Sequence, residues 1–214
     1  MAVVYQNASP TTYSGTDVSS FNIAYPSGIA AGKLLTMTIV HRYNQTVTTP
    51  SGWAQIGTPV TITNGVRMTC LSKTCTGSES GNLTVSFSAA MRYVADMQLF
   101  SGAKSIRGYT TTTATSATSI TLNPGQINSG ELGWVSTGSD DVGGPGTMTT
   151  SGAGWTAAAY STNLVDKFAN LNYKDTTGNV ACVAGYGATM DYIVAAGWII
   201  EPVPGGGLFF GGDF

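Results

Sequence analysis

The segment IAAGKLL at residues 29–35, followed by TPSGW ending at Trp53, decides the interpretation of this chain because it occurs twice. It returns as INSGELG at residues 127–133, followed by TSGAGW ending at Trp155. The second copy keeps the order of the first: a glycine, a leucine, an interval, and a tryptophan preceded by glycine. The two segments therefore predict an internal repeat.

The similarity extends on both sides of these segments. Pro26 has its counterpart in Pro124, and MRYVADMQLF from Met91 matches MDYIVAAGWI from Met190. The offset is 98 residues from the prolines to the leucines of the quoted segment, 102 at the tryptophans and 99 at the closing strands. Ordered agreement at five places predicts one domain, residues 1–201, built from two similar halves at about residues 12–103 and 110–201.

Alternation of apolar and polar residues is the commonest local pattern, and helical periodicity is nearly absent, which predicts an all-β fold. Asn64-Gly65 indicates a hairpin. The Thr-rich segment at residues 110–121 takes the place of residues 18–25 in the first half, so we interpret it as a strand and not a linker. Further strands are predicted at residues 2–5, 33–42, 66–76 and 93–100.

The composition restricts the partners. Only 9% of the 214 residues are charged, against roughly 25% in average soluble domains. The hydrophobic fraction of 42% excludes a typical disordered chain. With a net charge of -2 there is no basic face for phosphates, which argues against nucleic acid and anionic membranes. An uncharged surface suits packing against other proteins, because desolvating charge is costly.

The N-terminus lacks the features of a secretory signal, and no apolar run reaches the ~18 residues of a membrane helix. Cys70 and Cys75 lie five apart on one predicted strand, so their side chains point to opposite faces. Together with Cys182 they are expected to be thiols, consistent with synthesis in a reducing cytoplasm.

No catalytic, cofactor or metal site is predicted. The chain has one histidine, His41, in a strand-like run, and no G-x-S-x-G, zinc or nucleotide-binding pattern. Asp140-Asp141, in the glycine-rich segment 138–152, could supply oxygen ligands to calcium or be a solvated loop.

The tryptophans permit two interpretations. Exposed rings stack on glycans, whereas buried rings stabilise a core. Trp53 and Trp155 follow glycine at equivalent places in the repeat, which favours rings that cap each half of the core. Trp134 and Trp198 fall within predicted strands.

Two segments are candidates for docking to a partner. Beyond Glu201, two prolines and GGGLFFGGDF form an irregular arm at residues 202–214, which docks on a partner or folds back on the domain. The second candidate is the strand at residues 2–5, which could add to a sheet edge. The candidate docking residues are Leu208, Phe209, Phe210, Phe214, Val3 and Tyr5.

The order of a Gly-x-Leu strand, TPSGW, SGNLTVSFS, YVADMQLFSGA, TTTATSATSI and a second AGW half resembles a group of proteins from tailed bacteriophages. These are jelly-roll-like β-sandwiches of the virion, of head-decoration or tail-appendage type. The resemblance covers about residues 12–201 and contains no catalytic motif. It implies a two-sheet sandwich, no enzymatic activity and assembly on a virion.

We therefore expect a capsid decoration (cement) protein that binds the outer head shell and stabilises it. Its partners would be the major capsid protein or other virion proteins, its oligomer a trimer, and its location the virion after synthesis in the host cytoplasm. The alternative is a tail-fibre or appendage protein that binds a host surface glycan through loops such as residues 138–152. A third hypothesis, a glycan hydrolase or lyase, requires two carboxylates facing each other across a groove.

Overall fold

The computed structural model describes residues 1–42, 45–140, 146–162 and 166–204. Strands make up 68% of the structure, and no helix occurs among the described residues. The strands are β1 (Val4–Ala8), β2 (Thr12–Ala24), β3 (Leu34–Arg42), β4 (Val47–Thr48), β5 (Ala54–Gln55), β6 (Val60–Thr61), β7 (Val66–Thr74), β8 (Asn82–Ser101), β9 (Ala103–Leu122), β10 (Leu132–Asp140), β11 (Thr149–Ser151), β12 (Thr156–Thr162), β13 (Lys167–Lys174) and β14 (Cys182–Pro202).

The strands form two antiparallel sheets with equivalent orders. The first sheet runs β1-β8-β3-β7-β5, with β2 and β4 also on β8 and β6 on β7. The second runs β11-β14-β10-β13-β12, with β9 also on β14. The predicted all-β sandwich is confirmed, while its jelly-roll connectivity stays a prediction.

Strand register identifies which residues of the two sheets are equivalent. Leu35 lies between Lys73 and Leu99, whereas Gly133 lies between Lys174 and Ile199. Equivalent residues are therefore 98 apart in β3 and β10, 101 apart in β7 and β13, and 100 apart at this end of β8 and β14. The comparison of the two sequence segments gives an offset of 99 residues for the closing strands, one fewer than the register shows here. The difference matters, because a shift of one residue exchanges the two faces of a strand.

The described residues form three hydrophobic clusters. The central cluster lies between the sheets and contains Val94 and Val194, which are equivalent at the offset of 100. The other two cover the outer faces of the sheets, around Ala95 in the first half and Ala195 in the second. Two long strands, β8 and β14, link these faces to the sandwich. β8 pairs with β3 at residues 93–100 and with β2 at residues 82–95, whereas β14 pairs with β10 at residues 192–200 and with β9 from Cys182 to Pro202.

At the centre of the molecule, β3 meets β10 through equivalent residues. The hydroxyls of Thr38 and Ser136, 98 residues apart, lie 2.8 Å from each other. Next to them Val40 packs on Gly138, where an added methyl group would lie 2.6 Å from a Val40 methyl carbon. The hydrogen bond and this close approach fix how the two sheets sit on each other.

All three cysteines are buried thiols. Cys70 faces the central cluster and Cys75 an outer one, so they lie on opposite sides of their sheet as predicted. Within the described part of the chain, no helix is long and apolar enough to cross a membrane.

Candidate functional site

The two N-terminal docking candidates are engaged inside the domain. The strand predicted at residues 2–5 is β1, which begins at Val4 and pairs with β8. Val3 is 4% exposed and belongs to the central cluster. The ring of Tyr5 lies 5.7 Å from that of Trp134 and 5.4 Å from that of Tyr173. Val3 is therefore a core side chain and Tyr5 is half-buried against the same cluster. Docking by strand addition at the backbone edge of β1 stays a prediction.

The other docking candidates, Leu208, Phe209, Phe210 and Phe214, lie outside the described residues. Docking by the C-terminal arm stays a prediction.

None of the four tryptophans offers a ring to a glycan. Trp53 and Trp155 are each 7% exposed and lie in the two outer clusters. The indole of Trp155 donates a 2.9 Å hydrogen bond to the carbonyl of Val180. Trp134 and Trp198 are fully buried in the central cluster. These positions fit rings that cap each half of the core and argue against stacking on a sugar.

His41 is a core residue. Its Nδ1 lies 2.9 Å from the Arg42 carbonyl and its Nε2 3.1 Å from the Thr69 hydroxyl. A carbonyl oxygen only accepts, so Nδ1 carries the proton and Nε2 accepts from the hydroxyl. Burial first, and then the charges of Arg67 and Lys167, lower the pKa of His41 to about 3. The histidine is thus neutral and enclosed, and it is unsuited to act as a general base on a substrate.

A chain of ion pairs crosses one end of the sandwich. The ammonium of Lys167, whose side chain is 1% exposed, lies 2.8 Å from a carboxylate oxygen of Asp140 and 3.1 Å from one of Asp166. Asp166 is also 3.1 Å from Arg92, which continues the chain to Asp17. Burial raises the pKa of Asp140, against the opposing attraction of Lys167. Each buried charge of this chain of ion pairs has an opposite partner, as structural charges require.

The calcium hypothesis finds no support in this arrangement. Asp140 is paired with Lys167, and Asp141 lies outside the described residues. No group of three or more potential metal ligands occurs in the described ranges.

The described residues form an open groove of about 520 Å³ between the first sheet and β9. One wall is formed by the segments around β5 and β7, at residues 54–57 and 72–74. The other wall is the first part of β9, at residues 104–109. The groove was not predicted, because nothing in the local pattern of either segment shows that they face each other.

A bulge in β9 builds the second wall. Thr110 pairs with Gly197 but Arg107 pairs with Ile199, so β9 has one extra residue here, and Gly108 takes a positive φ of 66°. The bulge places Ile106 and Tyr109 on the same face, where both pack against the central cluster. Without it, alternation would send one of the two to the opposite face.

Tyr109 is held in place by Gly57. A methyl group added to Gly57 would lie 2.1 Å from the tyrosine ring, so only glycine allows this approach. The Tyr109 hydroxyl donates a 2.6 Å hydrogen bond to the Thr58 carbonyl, and burial raises the pKa of the phenol. The ring is therefore a fixed part of the groove.

The groove is lined by three basic residues, Lys73, Lys104 and Arg107, and by no acidic one. Arg107 is paired with Glu131 through two hydrogen bonds of 2.5 and 3.2 Å. Lys73 lies 3.1 Å from Glu79. Burial opposes ionisation of Glu79, but hydrogen bonds from the Thr76 and Glu79 backbone, then from Lys73 and Thr76, lower its pKa to about 2.

Lys104 differs from the other two cations of the groove. Its side chain is exposed, and within the described ranges it has no ion-pair partner. The groove can therefore offer one free positive charge, beside hydroxyls and an aromatic ring. The hydrolase hypothesis required paired carboxylates, and none lines this groove.

A second surface feature is the outer edge of β9. This strand has 20 residues and pairs with β14 along one side. Among the described residues no strand pairs with its other side. Its residues 109–122 include no charged side chain. The sequence predicted a strand here but gave no sign that it would lie at an edge.

No family model, curated protein or solved structure matches this chain.

Proposed function

We propose that this protein is a structural component of a tailed-phage virion, a decoration protein that binds the outer head shell and stabilises it. Its partners are the major capsid protein or other virion proteins, and its copies associate on the shell as trimers. The proposal joins the sequence resemblance to one structural observation, the long uncharged edge of β9.

An unpaired strand edge presents a row of backbone donors and acceptors. Soluble proteins usually protect such an edge with charges, prolines or bulges, because it pairs readily with other chains. The first residues of β9 have this protection in Lys104, Arg107 and the bulge at Gly108. The segment at residues 109–122 has no charge and no proline. Its register shifts between Ala117 and Ser119, and Ser116 has a positive φ of 49°, so the regular part that is suited to receive a strand of a partner is residues 110–115.

The side chains of this segment support the same conclusion. They are mostly threonine, serine and alanine, and most of them are exposed. Small neutral side chains can be covered by a partner without the desolvation cost that lysine or glutamate would bring. The low charge of the whole chain, 9%, extends this property to other faces.

Electron cryomicroscopy of virions made with and without the gene tests the location. Extra density on the head lattice is the expected result. Density confined to the tail would favour the alternative function, and no particle association would contradict both.

A binding assay tests the edge itself. Heads lacking the protein are mixed with purified wild type, Thr113→Lys or Thr115→Lys, and bound protein is measured after sedimentation. Both variants place a charge on the exposed face of the edge strand, and at least ten-fold weaker binding is expected. Ser86→Lys is the control, because Ser86 is exposed but lies between β2 and β4. Equal binding by all proteins would show that the β9 edge is not the contact.

The groove favours a second candidate function, a tail appendage that binds a host surface glycan. Its free cation, hydroxyls and aromatic ring are groups that bind sugars. The buried tryptophans do not contribute to this function.

A further inference from the structure

The groove lies at a place between the sheets whose equivalent, found by exchanging the two halves, is filled with aromatic rings. In β1 Tyr5 pairs with Phe100, and in β9 Ile106 pairs with Ile200, the residue equivalent to Phe100. Tyr5 and Ile106 are therefore equivalent, although the chain separates them by 101 residues. The isoleucine is the smaller of the two and lines the groove.

The two partners of Tyr5 have small equivalents as well. Trp134 pairs with Tyr173 as Thr36 pairs with Ser72. In the second half the rings of Trp134 and Tyr173 lie 5.7 and 5.4 Å from that of Tyr5. At the equivalent place, reached by exchanging the two halves, threonine, serine and isoleucine stand where Trp134, Tyr173 and Tyr5 stand here. Ser72 and Ile106 line the groove, whereas Thr36 is fully buried and donates a hydrogen bond to Gln98. The groove therefore opens where a serine and an isoleucine replace two of the three rings.

The size of this space suits a small ring-shaped ligand. Sites for small molecules commonly measure roughly 300–1,000 Å³, and the groove measures about 520 Å³. A six-membered ring would take the position that an aromatic side chain holds in the other half. It would meet Ile106 and Tyr109, which form the apolar part of the wall.

The lining also selects a chemical class. Three of the nine lysines and arginines of the chain line the groove, and no acidic residue does. Two of these cations are offset by glutamates, which leaves the charge of Lys104 for a ligand. The hydroxyls of Ser72 and Thr74 are hydrogen-bonding groups for a polyhydroxylated ring. The hydroxyl of Ser105 donates a 2.6 Å hydrogen bond to Glu201 and can still accept one from a ligand.

We propose that the groove binds an acidic sugar residue, with its carboxylate at Lys104 and the apolar face of its ring on Ile106 and Tyr109. The site does not depend on the decoration function, since a protein on the head or on the tail could carry it. With one free cation and one ring, binding of a single sugar is expected to be weak, with a Kd on the order of 1 mM.

The ligand class is tested by titrating ¹⁵N-labelled full-length protein with D-glucuronate, D-glucose and benzoate at low salt, followed by NMR. Glucuronate is expected to shift the amide signals of residues 54–57 and 104–109 and to reach saturation at millimolar concentrations. Glucose, which lacks the carboxylate, should bind at least ten-fold more weakly. Benzoate, which lacks the hydroxyls, should be weaker to the same extent. Equal binding of benzoate, no saturable shift with glucuronate, or shifts confined to other residues would overturn the proposal.

Two variants test the residues. Lys104→Gln is on the surface and should reduce glucuronate binding to the level of glucose; unchanged affinity would contradict the assigned role. Ser72→Tyr introduces the ring that Tyr173 supplies in the other half, and it should abolish binding by filling the groove. Ser86→Tyr, at an exposed site away from the groove, is the control for Ser72→Tyr and should bind as the wild type does. The ¹⁵N spectrum of each variant shows whether it is folded. If Ser72→Tyr does not fold, the affinity of Lys104→Gln for glucuronate alone tests the proposal.

Discussion

Burial of His41 makes the folding stability of the protein depend on pH, and replacing this histidine should remove that dependence. The imidazole is fully buried, and its pKa in the folded state is about 3, against about 6.5 in an unfolded chain. Between these pH values the unfolded chain binds a proton that the folded chain does not. Folding stability therefore rises with pH in this window and is lost as the pH falls from 6.5 towards 3.

The size of the effect follows from the two pKa values. Each unit of pKa difference corresponds to about 1.36 kcal/mol once the pH lies well inside the window. Lowering the pH from 7 to 4.5 should remove about 2.5 kcal/mol of unfolding free energy through this residue alone. With a urea m-value of about 2 kcal/mol/M, the unfolding midpoint moves by about 1 M.

Urea unfolding of the wild type and His41→Gln, followed by tryptophan fluorescence at several pH values from 7 to 4.5, measures this term. Glutamine does not titrate, and the carboxylates contribute to both proteins alike, so the stability difference between them should change by about 2.5 kcal/mol. Thr69→Val is the matched control. It removes the partner of Nε2 but leaves the ring buried, so it should keep the pH dependence. A wild-type and glutamine difference that stays constant with pH would refute the reasoning.

Three further predictions concern packing. Trp155→Ala should lower the free energy of unfolding, measured with urea, by about 3–5 kcal/mol. Trp155→Phe should lower it by about 0.5–1.5 kcal/mol, because the indole hydrogen bond is lost. A loss below about 1 kcal/mol for the alanine variant would exclude a core role. A double-mutant cycle of Thr38→Val and Ser136→Ala should show a coupling of about 1 kcal/mol, and zero coupling would show that the 2.8 Å contact contributes nothing. Gly57→Ala should cost about 1–3 kcal/mol because it displaces the Tyr109 ring, whereas an unchanged thermal midpoint would contradict that contact.

The alternation of apolar residues was enough to predict strands, because each half has faces that must be buried. Residues 33–42 were predicted as a strand, and β3 is Leu34–Arg42. The Thr-rich strand was predicted at residues 110–121, but β9 begins earlier, at Ala103. Its first residues are mixed in polarity, since they form one wall of an open groove, and they give no regular alternation to detect.

The groove could not be predicted, for a related reason. It opens beside two small residues, Ser72 and Ile106, whose equivalents Tyr173 and Tyr5 are aromatic. These residues become equivalent only through strand register, at an offset of 101 residues in each case. Tyr5 is a docking candidate from the sequence as part of a terminal strand that could add to a sheet edge, and only the packing of the two sheets shows its ring against Phe100, Trp134 and Tyr173.

The contact between Val40 and Gly138 has a consequence for symmetry. The two halves face each other as the subunits of a homodimer do, with an approximate two-fold axis running between Thr38 and Ser136. On a true axis each residue meets its own copy, so two valines would overlap there and two glycines would leave a hole. A single chain escapes this restriction, because it can place the valine on one side and the glycine on the other. The contact surface of each half therefore fits the surface of the other half, and it would not fit a second copy of itself.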